Sequence, residues 1–349
     1  MAGRRLLRWG VPAAVLAILL AVPAAGSVLR ASAAPRLPHR TPQQLLADVQ
    51  GVTVSGLSGT VVQHSDLGLP ELPAPSGAGS SSLTSLVAGT HTMRVWFAGP
   101  DRARLALLGT LGESDVIVNG RDVWVWNSDQ HAATHRRLPA RSPETRAETP
   151  LTPQAAAQRV LDAVTPTTAV TTAESATVAG RPAYELVLTP RDSRSSVREV
   201  RIAIDSATKV PLQVTAYAQR HAKPAFDVGY TDVTFARPSD DHFRFVPPPR
   251  TKVTEATGDT GTARGHRGAQ GPAPTVVGTG WTSVVVAKTG PVMGTSPDVD
   301  RILARLPHVS GGWGSGRLLA GTLFSVLVTD DGRVAAGAVS PDLLYAALK

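Results

Sequence analysis

The stretch that most constrains the fold is Glu113 to Asn127, ESDVIVNGRDVWVWN. Val116, Ile117 and Val118 form a β-branched run, Val123 to Trp126 form a second extended run, and Asn119-Gly120 lies between them. β-Branched and aromatic residues suit a pleated surface, and Asn and Gly tolerate the positive φ of a tight turn, so the spacing predicts one β-hairpin. Side chains alternate along a strand, which places Trp124 and Trp126 on one face and Val123 and Val125 on the other. Neither face is polar. Such a strand must be covered on both sides, by core or by a ligand.

The remaining elements follow from similar patterns. TPQQLLADVQ, Thr41 to Gln50, predicts a helix capped by Thr41 with Pro42 in its first turn and Leu45, Leu46 and Val49 on one face. Strands are expected at Ser58 to His64, Thr92 to Phe97, Arg102 to Leu108 and His135 to Leu138. Ser65 to Gly89 reads as a flexible loop and Arg141 to Pro150 as a polar linker. Thr152 to Val164 repeats the grammar of the first helix, with Thr152 as cap and Ala156, Val160, Leu161 and Val164 as an apolar stripe. A meander follows at Ala173 to Val178, Ala183 to Thr189, Val197 to Asp205, Leu212 to Gln219 and Phe226 to Phe235, turning at Ala179-Gly180 and Ser206-Ala207. Most of these strands alternate, so the sum is a large, curved antiparallel sheet with one wet face.

Composition bounds what such a sheet can belong to. The chain has 349 residues, of which 42% are hydrophobic, and its 28 Pro and 32 Gly favour strands and turns over long helices. Lys and Arg number 35 against 27 Asp and Glu, but Arg4, Arg5, Arg8 and Arg30 lie in the N-terminal leader. The remaining surface is mildly basic and is no nucleic-acid footprint. The absence of cysteine excludes disulfides, thiolate metal sites, a Cys nucleophile and a lipidated N-terminal Cys. Residues 1–33 read as a secretory signal: a basic region, an apolar run from Val11 to Ala25 and Ala31-Ser32-Ala33 as the cleavage site. Left uncleaved, Val11 to Leu29 would be long enough for a membrane anchor. Either way the folded part is expected outside the cytoplasmic membrane, secreted or associated with the cell envelope.

The order of elements carries a resemblance. Helix, strands, a hairpin with Asn119-Gly120 and Val123 to Trp126, a Thr-Pro helix, then Tyr184 to Pro190, Ile202 to Leu212, Val228 to Val233 and Phe243 to Pro248 together resemble the LolA/LolB family of lipoprotein-sorting proteins. They are also similar to the related N-terminal domain of RseB. The likeness covers about Thr41 to Pro249 and lies in order and spacing. It implies a mainly β (α+β) fold, a half-open antiparallel β-barrel lidded by helices, whose apolar concave side holds acyl chains. The lipid-binding cavity it implies is lined by Val95, Phe97, Leu105, Leu107, Val116, Val118, Trp124, Trp126, Leu186, Leu188, Ile202 and Ile204. The implied partners are lipid or lipoprotein acyl chains. An RseB-like regulator would instead bind a membrane-anchored protein such as an anti-sigma factor.

No motif of catalysis competes with this reading. G-x-S-x-G, H-E-x-x-H, phosphate-loop and EF-hand spacings are all absent, so no enzyme, cofactor or metal is expected. His131 and His135 are four apart in a stretch that reads as turn and strand, where that spacing makes no metal face, and both read as solvated. Asp240-Asp241-His242 reads as a polar turn, and Gly311 to Gly316 as a loop. Arg136 and Arg137 form a basic rim. The expected domains are the barrel at 41–249, a flexible linker at 250–275 and a small α/β unit at 276–349. That last unit is predicted as β-α-β-β-α, with strands at Trp281 to Lys288, Leu318 to Thr329 and Val334 to Val339. At about this size it should pack on the first domain or on a partner.

Overall fold

The computed structural model describes residues 37–69, 83–138, 165–256, 273–290 and 297–349. The expected signal segment and the Thr152 to Val164 helix lie outside them. Thirteen strands build one sheet: β1 (Leu57–Ser65), β2 (Gly89–Phe97), β3 (Arg102–Leu108), β4 (Glu113–Asn119), β5 (Asp122–Asn127), β6 (Ala132–Arg137), β7 (Thr168–Thr172), β8 (Ala176–Val178), β9 (Arg181–Pro190), β10 (Val197–Asp205), β11 (Pro211–Ala218), β12 (Pro224–Thr234) and β13 (Lys252–Ala256). Their spatial order is β13-β6-β5-β4-β3-β2-β1-β12-β11-β10-β9-β7, with β8 also on β9. The ends β13 and β7 do not pair, so the sheet stays open and the fold is half-open and mainly β. Between β1 and β6, and again between β9 and β12, each half is a meander of sequence neighbours. The seam between the halves is β1 on β12, with Val61 opposite Tyr230 and Gln63 opposite Val228.

The central hairpin forms as its sequence predicts, with Val116 opposite Val125 and Val118 opposite Val123. Its turn uses Gly120 at φ 62°, while Asn119 stays in β4. Ala179 and Gly180 both take positive φ, 51° and 72°, which gives the tight turn between β8 and β9. The first helix, α1 (Pro42–Gly51), has a complete capping box: Thr41 Oγ1 accepts from Gln44 N–H at 3.2 Å, and Gln44 Oε1 accepts from Thr41 N–H at 3.0 Å. Where one strand was expected over Ala173 to Val178, a bend at Glu174-Ser175 separates β7 from β8. The expected linker also differs at its start, because Lys252–Ala256 is β13 and pairs with β6.

A second sheet of six strands has the order β14-β15-β19-β18-β17-β16. It contains β14 (Thr275–Val277), β15 (Val284–Lys288), β16 (His308–Gly311), β17 (Gly314–Ala320), β18 (Ser325–Thr329) and β19 (Arg333–Gly337), with helices α2 (Pro297–Arg305) and α3 (Pro341–Ala347). The long strand expected at Leu318 to Thr329 is instead the hairpin β17–β18, folded back where Gly321 N–H donates to Phe324 O at 2.8 Å. The glycine-rich run Gly311 to Gly316 is the tight turn from β16 to β17. Its Trp313 turns back into the core, 7% exposed, and stacks on Tyr345 of α3 at 5.3 Å.

The two sheets share one cluster of buried side chains. Trp281 and Leu323 from the second pack with Leu188, Val200, Val214, Phe226 and Val228 from the first. Trp281 Nε1–H donates to Thr168 Oγ1 at 2.7 Å in this buried contact. Ser196 N–H donates to Ala338 O at 2.8 Å, and Thr322 N–H to Leu67 O at 2.7 Å.

Candidate functional site

Residues opposite each other in adjacent strands share a face, so the register decides which side chains meet. Val95 faces Leu105, Leu105 faces Val116, and Val116 faces Val125. Phe97 faces Ala103, Ala103 faces Val118, and Val118 faces Val123. Leu107 joins Met93 and, through it, Val61. Beyond the seam the same face continues through Val228, Val214, Ile202 and Leu186, with Val200 opposite Leu188 and Ile204 opposite Tyr184. Ten of the twelve expected cavity residues therefore share one face, and α1 lies against it.

Trp124 and Trp126 do not belong to that set. They stand opposite Ile117 and Asp115, on the reverse face, because it is Val123 and Val125 that are in register with Val118 and Val116. The expectation of cover on both faces of β5 also fails in part. Trp126 is 6% exposed, whereas Val125 is 39% exposed.

The ten residues are not equally open. Leu186 and Ile204 are closed over by Leu45 of α1, all three at most 1% exposed. Leu188 lies in the cluster capped by Trp281, and Leu107 is fully buried. These four are core, not lining. Val95, Phe97, Leu105, Val116, Val118 and Ile202 remain half-buried. The open part of the apolar face is thus the region of β2 to β5, with the exposed Val125 at its margin.

The reverse face has two characters. Across β9 to β12 it is polar: Arg201 bonds Glu185 at 3.1 Å and Glu199 at 3.0 Å, and Asp227 accepts from Gln213 Nε2 at 2.8 Å and Thr215 Oγ1 at 2.7 Å. Burial pushes the Glu185 and Asp227 carboxyls above the usual carboxylate range, against the pull of those donors. Across β2 to β6 it is aromatic and is crossed by the segment after β12. Phe245 lies 5.2 Å from Trp124 and 5.9 Å from Trp126. His242 stacks on Trp96 at 5.1 Å, so the Asp240 to His242 turn is a fastening and not a bland loop. His135 is also no solvated histidine; it stacks on Trp124 at 4.1 Å, with Nδ1 2.8 Å from Glu255 and Nε2 3.0 Å from Asp122.

Beneath this roof Arg104 Nε–H donates to Asp115 Oδ1 at 2.8 Å, while its guanidinium lies over Trp96 at 5.4 Å. Asp115 is 1% exposed and its Oδ2 has no hydrogen-bond partner among the described residues. Burial, and then the Asp115 charge, raise the neighbouring Glu113 carboxyl, against the opposing pull of Arg104. Sequence patterning could not reveal this group, because its members come from β2, β3, β4 and the 240–245 segment.

Two small cavities flank the large sheet. One of about 210 Å³ lies between the segment before α1 and β9, lined by His39, Arg40, Glu174 and Tyr184 among others. The other, of about 200 Å³, lies where the sheets meet, at Thr167, Arg191, Thr279 and Trp281. Neither is lined by any of the twelve expected residues. Among the described residues no three His, Asp or Glu side chains gather as metal ligands would, and no helix is long and apolar enough to cross a membrane.

No family model and no curated protein matches the sequence. Among solved structures, the chain is similar to the MucA/MucB complex of Pseudomonas aeruginosa at 14% identity and a TM-score of 0.44, over 88% of this chain and 95% of that one. It is similar to an uncharacterized conserved protein from Thermus thermophilus at 12% identity and a TM-score of 0.37, over 61% of this chain and 98% of that one. A LolA superfamily protein from Nitrosomonas europaea is similar at 12% identity and a TM-score of 0.23, over 59% of this chain and 99% of that one.

Proposed function

We propose that this protein is an extracytoplasmic binding protein that holds acyl chains, of a lipid or a lipoprotein, against the apolar face of β2 to β5. The observation that supports the reading is one of register. Val95, Phe97, Leu105, Val116 and Val118 are side chains from three strands that share a face and remain half-buried. The same face over β9 to β12 is closed by α1 and Trp281. A contiguous apolar surface left partly open is a place for a ligand, because water against it is unfavourable by roughly 25 cal/mol per Å². The alternative, an RseB-like regulator that binds a membrane-anchored anti-sigma factor, draws on the second sheet, whose edge strand β14 presents Val276 and Val277 at 40% and 41% exposure. Such an edge suits a protein partner.

Native mass spectrometry of the purified protein, together with uptake of a fluorescent fatty acid, tests the carrier reading. Bound lipid or saturable uptake is expected, weakened several-fold by Val118→Ser at unchanged fold. Neither lipid nor uptake in the parent protein would end the carrier reading and leave the regulator.

A further inference from the structure

The β6 edge of the large sheet is covered in a way unlike the rest of the molecule. Among the described residues every other strand pairing is antiparallel, but β13 runs parallel to β6, with Lys252 opposite Ala132, Thr254 opposite Thr134 and Ala256 opposite Arg136. Parallel pairing is the less stable kind, and four of the five β13 residues are exposed, Val253 at 43%. Little apolar burial holds the strand. Among the described residues, the side-chain hydrogen bond that ties it is at one point, where Glu255 Oε2 lies 2.8 Å from His135 Nδ1. His135 is itself fixed from the other sides, by Asp122 at 3.0 Å and by the Trp124 ring. His135 is thus held independently of the strand.

The receptor is also more basic than its present occupant requires. Arg136 and Arg137 are exposed and have no ion-pair partner among the described residues. The occupant's one carboxylate, that of Glu255, meets His135 alone, and Arg136 and Arg137 follow on the same strand. The sequence after β13, TGDTGTARGHRGAQGP, holds no large apolar residue.

We propose that β13 is a placeholder and that the β6 edge docks an extended acidic segment of a protein partner. The incoming strand takes the main-chain hydrogen bonds of β6, puts one carboxylate in the place of Glu255 against His135, and sets the next on that face over Arg137. This rests on the edge alone and holds whether or not the apolar face carries acyl chains.

The chain has no cysteine, so the test can be made with one engineered disulfide. Thr134→Cys and Thr254→Cys, in register across the two strands, would lock β13 onto β6 on oxidation and free it on reduction. The probe is a fluorescent octapeptide of alternating Glu and Val, with the Lys-Val peptide as counterpart. Binding of the acidic peptide to the parent and to the reduced double variant is expected, at least tenfold weaker when oxidised, with Glu255→Gln binding several-fold tighter than the parent. Hydrogen exchange of the parent should show β13 amides opening well before those of β5. The proposal is overturned by failure of the acidic peptide to bind the parent, by equal binding of the Lys-Val peptide, or by equal binding to locked and open forms. Should oxidation itself unfold the double variant, exchange in the parent decides, and β13 amides as protected as those of β5 overturn it.

Discussion

At the level of single residues, buried polar groups are placed where the sheet turns. Asp205, at the end of β10, is fully buried and receives Arg181 through two hydrogen bonds of 2.7 and 3.0 Å, and Thr208 through its N–H and hydroxyl at 2.6 and 2.8 Å. Burial alone would raise this carboxyl, but those donors outweigh it and hold it below the ordinary range. A lowered carboxylate stabilises the fold above the unfolded value and loses that contribution as pH falls through the folded one. Asp205→Asn is therefore expected to cost about 2 to 3 kcal/mol at neutral pH, and to make acid unfolding less steep, by denaturant titration at several pH values. Tyr230 works in the opposite pH range. Its ring lies against Gly59, where a Cβ would stand 2.8 Å from it, and burial pushes the phenol up to about 12. The unfolded chain releases this proton near pH 10, so stability falls as pH rises from 10 to 12, and Tyr230→Phe should flatten that limb relative to the parent. A slope identical in both proteins would show that the phenol is solvated.

At the level of elements, the same physical signals decided which parts of the sequence were legible. The hairpin, the Thr-Pro start of α1 and the meander could be read because turn chemistry, capping and period-2 alternation are local. Thr41→Ala removes one half of the capping box and should cost about 1 kcal/mol in thermal unfolding, while Thr41→Asp should cost little. Facing was not legible for β5, where valine and tryptophan are both apolar and alternation gives no sign of which side turns to Val116. Only the register with β4 decides it. The roof over Trp124 and Trp126 is not legible for a related reason. The F-x-F-V-P-P segment from Phe243 to Pro248 carries Phe243 and Phe245, and it takes long-range packing to bring Phe245 onto β5. β13 is not legible in the sequence, because a strand with four exposed residues has no hydrophobic pattern.

For the whole molecule, the thermodynamic unit is set by Trp281. It is 8% exposed, donates to Thr168, and lies in the cluster that draws on both sheets. Trp281→Ala should cost about 3 to 5 kcal/mol and split a single calorimetric transition into two, since the second sheet keeps its own core of Val284, Trp313, Leu327 and Leu344. A single, slightly shifted transition would show that the sheets are joined elsewhere. The seam of β1 on β12 has a different kind of consequence. Ser58 pairs with Thr234, so the first strand made waits for nearly the last strand of its sheet. The β2 to β6 meander can form from neighbours as the chain emerges, but β1 must offer one open edge through all of that interval. Maturation is therefore a race between seam closure and edge-to-edge association, and yield on refolding should drop steeply with concentration. A holdase occupying the β1 edge would relieve that loss, and it would do so without touching the stability of the finished protein.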